Sequence, residues 1–183
     1  MVIVHSTFIH YPVYLSSSVF SQCLDLLDSP SLATIAFSLC GAYLSLATHV
    51  RHYRPVRALL ARVATTDCFL EVLPELEEDL ASLASDRFGH IIVISLLETA
   101  PPSIRERMIA TFQGRVAALA CHPVSHSVVV AAVGAASPSL LAAMIEEVCT
   151  VTTGQADMAV IPLTRDRQGH TVVLAMLQVR GCV

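Results

Sequence analysis

Three histidines stand in the same local frame. His90, His126 and His170 each follow a small residue (Gly89, Ser125, Gly169) and precede one variable residue and then three branched apolar ones. A neutral imidazole accepts a hydrogen bond at one ring nitrogen and donates from the other, so such a row could touch the edges of a ligand, cap helices or bind a metal. Arg87 and Arg167 lie three residues before His90 and His170. They could contact phosphates or pair with the adjacent Asp86 and Asp166. Metal ligation is not expected: Pro123 keeps His122 and His126 off one helix face, and no second Cys/His pair at finger spacing follows Cys121. No GxSxG, phosphate-binding glycine loop, HExxH or paired carboxylates occur, so the chain reads as non-enzymatic and without a cofactor.

The elements that carry these histidines must recur. Gly89 and Ser125 are 36 residues apart, and steps of 36 back from Gly89 reach Tyr53 and then Ser17. A fixed period of this size is the mark of a solenoid, in which each unit buries its apolar face against its neighbours. Ser125 to Gly169 is 44 residues, and the extra eight fall most easily in the polar stretch 149–157, an enlarged loop. The expected units are 1–36, 37–72, 73–113, 114–149 and 155–183 of one repeat array.

Composition agrees with a packed array. Hydrophobic residues make up 54 % of the 183 and charged residues 14 %, too apolar for disorder. All 11 basic residues are Arg, and the net charge of −4 gives no global attraction for nucleic acid. Cys23, Cys40, Cys68, Cys121, Cys149 and Cys182 form no CxxC pair and are expected to be reduced, buried thiols, which points to an intracellular compartment. No secretory signal is evident in residues 1–20. Two uncharged stretches, 29–50 and 127–145, are long enough to span a membrane. The first holds Pro30, His49 and several Ser and Thr; the second is broken at Ser137-Pro138-Ser139; both cross unit boundaries. No membrane partner is expected.

Local signals place the helices. Pro74 and the acids Glu75 to Asp79 suggest the first turn of a helix that runs to Ser85 with Leu76, Leu80 and Leu83 inward. A second helix starts at Gly89. Pro101-Pro102 begins a third, with Ile104, Met108 and Phe112 on one face, closed by Gly114. The next unit repeats the plan, from Ser125 to Ala136 and then from Pro138 with Leu141, Met144 and Val148 inward. Each unit is therefore three helices, one short and two longer. The acids of 75–79 are expected on a solvated face.

With its 36-residue, three-helix unit and its Asp86-Arg87-Phe88-Gly89-His90 core, the chain resembles the Pumilio (Puf) repeat family over roughly residues 17–180. The resemblance implies an all-α, right-handed solenoid of three-helix repeats. It also implies that each second helix lines a concave RNA-binding face, where two side chains meet a base edge and the one between them stacks. Carried over, the first edge position is His90, His126 and His170; the stacking position is Ile91, Ser127 and Thr171; the second edge position is Ile94, Val130 and Leu174. The last three cannot hydrogen-bond, and the stacking position lacks an aromatic or Arg platform. Only Ser18 and Gln22 supply both edge residues. Arg54, which follows Tyr53 as His90 follows Gly89, joins Arg87 and Arg167 among the candidate RNA contacts.

This pattern is similar to the degenerate, Penguin-type branch. That likeness implies single-stranded or ribosomal RNA as a partner held with little base specificity. It also implies work in ribosome biogenesis or post-transcriptional regulation, and a nucleolar or nuclear location with the cytoplasm as alternative. The competing reading is a protein-binding helical-repeat scaffold without RNA contact.

Overall fold

The structure is a computed structural model that describes residues 17–149 and 160–180. Among them are thirteen helices and no strand. In chain order they are α1 (Ser17–Asp25), α2 (Ser29–Ser38), α3 (Tyr43–Ala47), α4 (Tyr53–Val63), α5 (Phe69–Glu78), α6 (Leu80–Ser85) and α7 (Gly89–Thr99). After these come α8 (Pro102–Ala110), α9 (Val116–Cys121), α10 (His126–Ala135), α11 (Pro138–Cys149), α12 (Val160–Arg165) and α13 (Gly169–Arg180).

Helices α1, α4, α7, α10 and α13 pack side by side as one inner row. The short helices α3, α6, α9 and α12 each lead into an inner helix, and α2, α5, α8 and α11 follow one. The result is an all-α solenoid. The enlarged loop expected at 149–157 lies, apart from Cys149, outside the described residues.

Packing follows the register. Ile92, Val128 and Val172, each two residues after the histidine of its unit, are fully buried, and Val56 at the same phase is nearly so. Burial of such a side chain contributes about 1.5–3 kcal/mol, and each unit supplies several, so the apolar runs are explained by core filling alone. Ile104, Met108 and Phe112 are buried together, as are Leu141, Met144 and Val148. No described helix is long and apolar enough to cross a membrane.

The small residue before each histidine has a steric cause. A Cβ on Gly89 would sit 2.6 Å from the carbonyl oxygen of Leu83, and one on Gly169 2.6 Å from that of Leu163. Each inner helix thus begins hard against the short helix before it. At the third site the chain solves the conflict differently: Ser125 is buried, and its hydroxyl donates to the equivalent carbonyl, Leu119 O, at 2.8 Å.

Three expectations are corrected. Pro74 is inside a helix that starts at Phe69, and the chain breaks at Asp79, so Leu80 and Leu83 belong to the separate α6. Apolar residues Phe69, Val72 and Leu73 extend the helix upstream because all three are buried. The acids are not all on a solvated face. The Glu75 carboxylate accepts from the Gly41 and Tyr43 amides (2.7 and 2.9 Å), and Glu147 accepts from Gly114 and Val116 (2.8 and 2.7 Å). Gly41 and Gly114 have φ of 82° and 78°, a left-handed turn that aims both amides at one carboxylate. Glu77 pairs with Arg107 at 2.8 Å. The cysteines are not buried: Cys23, Cys40, Cys121 and Cys149 are exposed and Cys68 half-buried, all as free thiols. Cys40, Cys121 and Cys149 sit at or just past helix ends, while Leu, Ile and Val fill the inward faces; Cys182 lies outside the described residues.

Candidate nucleic-acid interface

The inner row presents one solvent-facing stripe per helix. Its first position holds Arg54, His90, His126 and His170 in α4, α7, α10 and α13; in α1 the position is Ser18, whose side chain lies outside those described. Gln22 is exposed on α1. Ile91, Ser127 and Thr171 are half-buried along the same stripe, as are Ile94 and Val130, whereas Leu174 is 52 % exposed.

All three imidazoles are oriented by their own backbone. His90 Nδ1 lies 3.0 Å from Asp86 O, His126 Nδ1 3.2 Å from His122 O, and His170 Nδ1 3.2 Å from Asp166 O. A carbonyl only accepts, so Nδ1 carries the hydrogen and Nε2 is left as an acceptor on the neutral ring. Capping and ligand contact therefore use opposite nitrogens of one ring. The neighbouring hydroxyls are also committed: Ser127 Oγ donates to Val124 O at 2.8 Å and Thr171 Oγ1 to Gln168 O at 2.6 Å.

The aspartates before the histidines are caps. Asp86 Oδ1 accepts from the Phe88 and Gly89 amides, both at 2.8 Å, and Asp166 Oδ1 accepts from Gln168 and Gly169, again both at 2.8 Å. The two amide bonds hold the Asp166 carboxyl below its ordinary value. In the unit of α10 His122 takes over, its Nδ1 accepting from Val124 and Ser125 at 3.2 and 3.3 Å. With the carboxylates so used, Arg87 and Arg167 form no ion pair with Asp86 and Asp166, and both guanidiniums are exposed. No group of three His, Cys, Asp or Glu among the described residues could hold a metal ion.

One assembly has no counterpart in the periodic motif. Tyr53, opening α4, and Phe88, capping α7, stack with ring centroids 5.0 Å apart and planes at 26°. Arg54 Cζ lies 5.7 Å from the Tyr53 centroid and its Nε donates to Tyr53 Oη at 2.9 Å; Arg87 Cζ lies 5.6 Å from the Phe88 centroid. The two rings are 35 residues apart in sequence, one short of the period, so register alone does not pair them. The signal that could find them is Tyr53 itself, an aromatic at the position where the later units hold Gly89, Ser125 and Gly169.

No family model matches the sequence, and no curated protein matches it. Solved structures do share its fold. PUF-8 in complex with PBE-RNA superposes with a TM-score of 0.81 at 14 % identity, covering 93 % of this chain and 50 % of that one. The Puf3 RNA-binding domain bound to the Cox17 RNA recognition sequence, site A, gives 0.75 at 19 % identity, covering 89 % and 50 %. The RNA-binding domain of yeast Puf5p bound to SMX2 RNA gives 0.72 at 13 %, covering 88 % and 45 %. The chain therefore has the fold of a Pumilio-repeat solenoid and spans about half the length of the solved domains it resembles.

Proposed function

We propose that the chain is a non-catalytic, RNA-associated Pumilio-type repeat protein that holds single-stranded or ribosomal RNA with little base specificity. The fold supports RNA as the partner. The observation that carries the low specificity is the occupancy of the second edge position: Ile94, Val130 and Leu174 offer no donor or acceptor, and the hydroxyls beside them are bonded to backbone. In these three units what remains for a base is one imidazole Nε2 each, too little for the paired contacts that tell one base from another. Such a protein suits work on many RNA sequences, as in ribosome biogenesis or general post-transcriptional regulation, and fits the Penguin-type branch and a nucleolar or nuclear location. Filter binding with a set of unrelated single-stranded RNAs tests it: affinities within a few-fold of one another are expected. Strong preference for one sequence would refute the reading.

A second reading, a protein-binding scaffold, draws on the aliphatic surface that Ile94, Val130 and the exposed Leu174 place along the stripe. Absence of RNA binding at low salt would favour it.

A further inference from the structure

Positive charge is concentrated in one place. Arg51, Arg54, Arg57 and Arg62 fall within twelve residues of a chain whose net charge is −4, and no Asp or Glu occurs between Ser29 and Thr66. Arg54 stands in the first turn of α4, and Arg87 immediately precedes the α7 cap. Cations there oppose the positive end of a helix dipole, and Arg54 and Arg57, three apart on one face, repel each other. Both arrangements cost stability, so folding alone does not account for them.

The carboxylates available do not neutralise this charge. Asp25 pairs with Arg62 at 3.4 Å across an exposed edge, and Glu77 is taken by Arg107. Among the described residues no carboxylate lies within ion-pair distance of Arg54 or Arg87. Both side chains are nonetheless braced, Arg54 by the Tyr53 hydroxyl and ring and Arg87 by the Phe88 ring. Bracing an Arg in advance removes rotamer entropy that binding would otherwise cost. With its Nε already committed, Arg54 keeps its two terminal nitrogens for an oxyanion.

We propose that the seam between α4 and α7 is the phosphate anchor of the bound strand, where Arg54 and Arg87, held against the Tyr53–Phe88 pair, take two backbone phosphates of a single-stranded RNA. This rests on the reading that the chain holds such a strand. It adds where the phosphate-binding part of the interface resides: at one seam, apart from the histidine row.

Fluorescence anisotropy of labelled oligouridine across a salt series tests it. The full chain is compared with Arg54→Gln/Arg87→Gln and with a control pair of exposed arginines, Arg115→Gln/Arg165→Gln. Each phosphate lost lowers the slope of log affinity against log salt by about 0.7, so the seam variant should lose about 1.4 and bind roughly tenfold or more weakly at low salt. The control pair should match wild type, all three proteins keeping the same thermal melt. Arg54→Lys/Arg87→Lys should retain the slope, since charge remains, and bind more weakly than wild type, since an ammonium cannot fork or stack. A wild-type slope in the Gln variant, or an equal loss in the control pair, overturns the anchor and leaves RNA association intact. No oligouridine binding by the wild type at low salt overturns both. Displacement of oligouridine by polyglutamate at equal charge concentration also overturns the anchor, assigning the seam to acidic peptides.

Discussion

Units built on one plan carry two different surfaces. At the α4–α7 seam, aromatic rings cross from one unit to the next and each braces an arginine. From α7 onward the stripe is an imidazole followed by aliphatic side chains, and the available polar atoms are turned back onto the helix. Beneath both surfaces Val56, Ile92, Val128 and Val172 occupy the same buried phase. The difference teaches that the repeat constrains what lies under the stripe and leaves the stripe itself free to diverge. In such an array, likeness of core residues identifies the fold, and only the stripe speaks of ligand.

The largest effect should come from attacking what the two regions share. Val128→Asp would bury a carboxylate with no partner, at a cost of about 3–5 kcal/mol. Val56→Asp should cost about as much, because Val56 holds the same phase under the cationic seam. Chemical denaturation of both variants checks this. A mild effect at either site would show that the two regions do not rest on one scaffold.

A smaller effect tests the junction between short and inner helices. Gly89→Ala should destabilise by about 1–3 kcal/mol, because the new Cβ meets the Leu83 carbonyl and the packed helices must shift. Gly89→Ser should cost less, since its hydroxyl can make the bond that Ser125 makes to Leu119. Thermal melts of the two variants separate steric exclusion from hydrogen bonding. Equal losses would mean that the unit of α10 tolerates Ser125 by moving its helix, not by bonding.

The stripe itself can be rewritten to sharpen the contrast. His126→Asn with Val130→Gln places two amides at the edge positions of one unit, and each amide both donates and accepts. Preference for one base at one position should then appear, worth about 1–3 kcal/mol for a good paired contact. Competition among oligomers that differ at a single base reads it. If the row does no more than pack, no position-dependent preference will emerge.

Much of this was legible because the repeat turns distant packing into local spelling. The small residue, the histidine and the aliphatic run recur at one interval, and each has a steric or capping cause confined to about ten residues. What escaped depends on contacts between units. Glu75 reads as one acid in a solvated run, yet it closes on Gly41 and Tyr43 from the preceding helices. Pro74 carries a first-turn signal that loses to the buried Phe69, Val72 and Leu73 upstream. Exposed cysteines look like core residues by type, and only the placement of helix ends reveals otherwise. The Tyr53–Phe88 pair is hidden because Tyr53 shares its register with Gly89, not with Phe88, so the contact joins two different positions of neighbouring units.

The smallest effect distinguishes the caps of the last two inner helices, and its sign follows from the chemistry of each acceptor. The Asp166 carboxyl titrates below the ordinary carboxylate value of 3.8 because the Gly169 and Gln168 amides donate to its charged form. A folded value below the unfolded one means that the carboxylate favours the folded state. Its contribution is complete above the unfolded value and fades as pH falls through the folded one. The α13 cap should therefore hold at neutral pH and through mild acid, and loosen only below about 3.8. The α10 cap uses a ring nitrogen of His122 in place of a carboxylate. Asp166→Asn, which removes the charge, should expose the Gln168 and Gly169 amides at neutral pH and leave the Val124 and Ser125 amides as protected as before. Amide exchange measured residue by residue, at neutral pH and again below about 3.8, checks both expectations. Simultaneous release at both helices would show that the units open together and that their caps do not act separately.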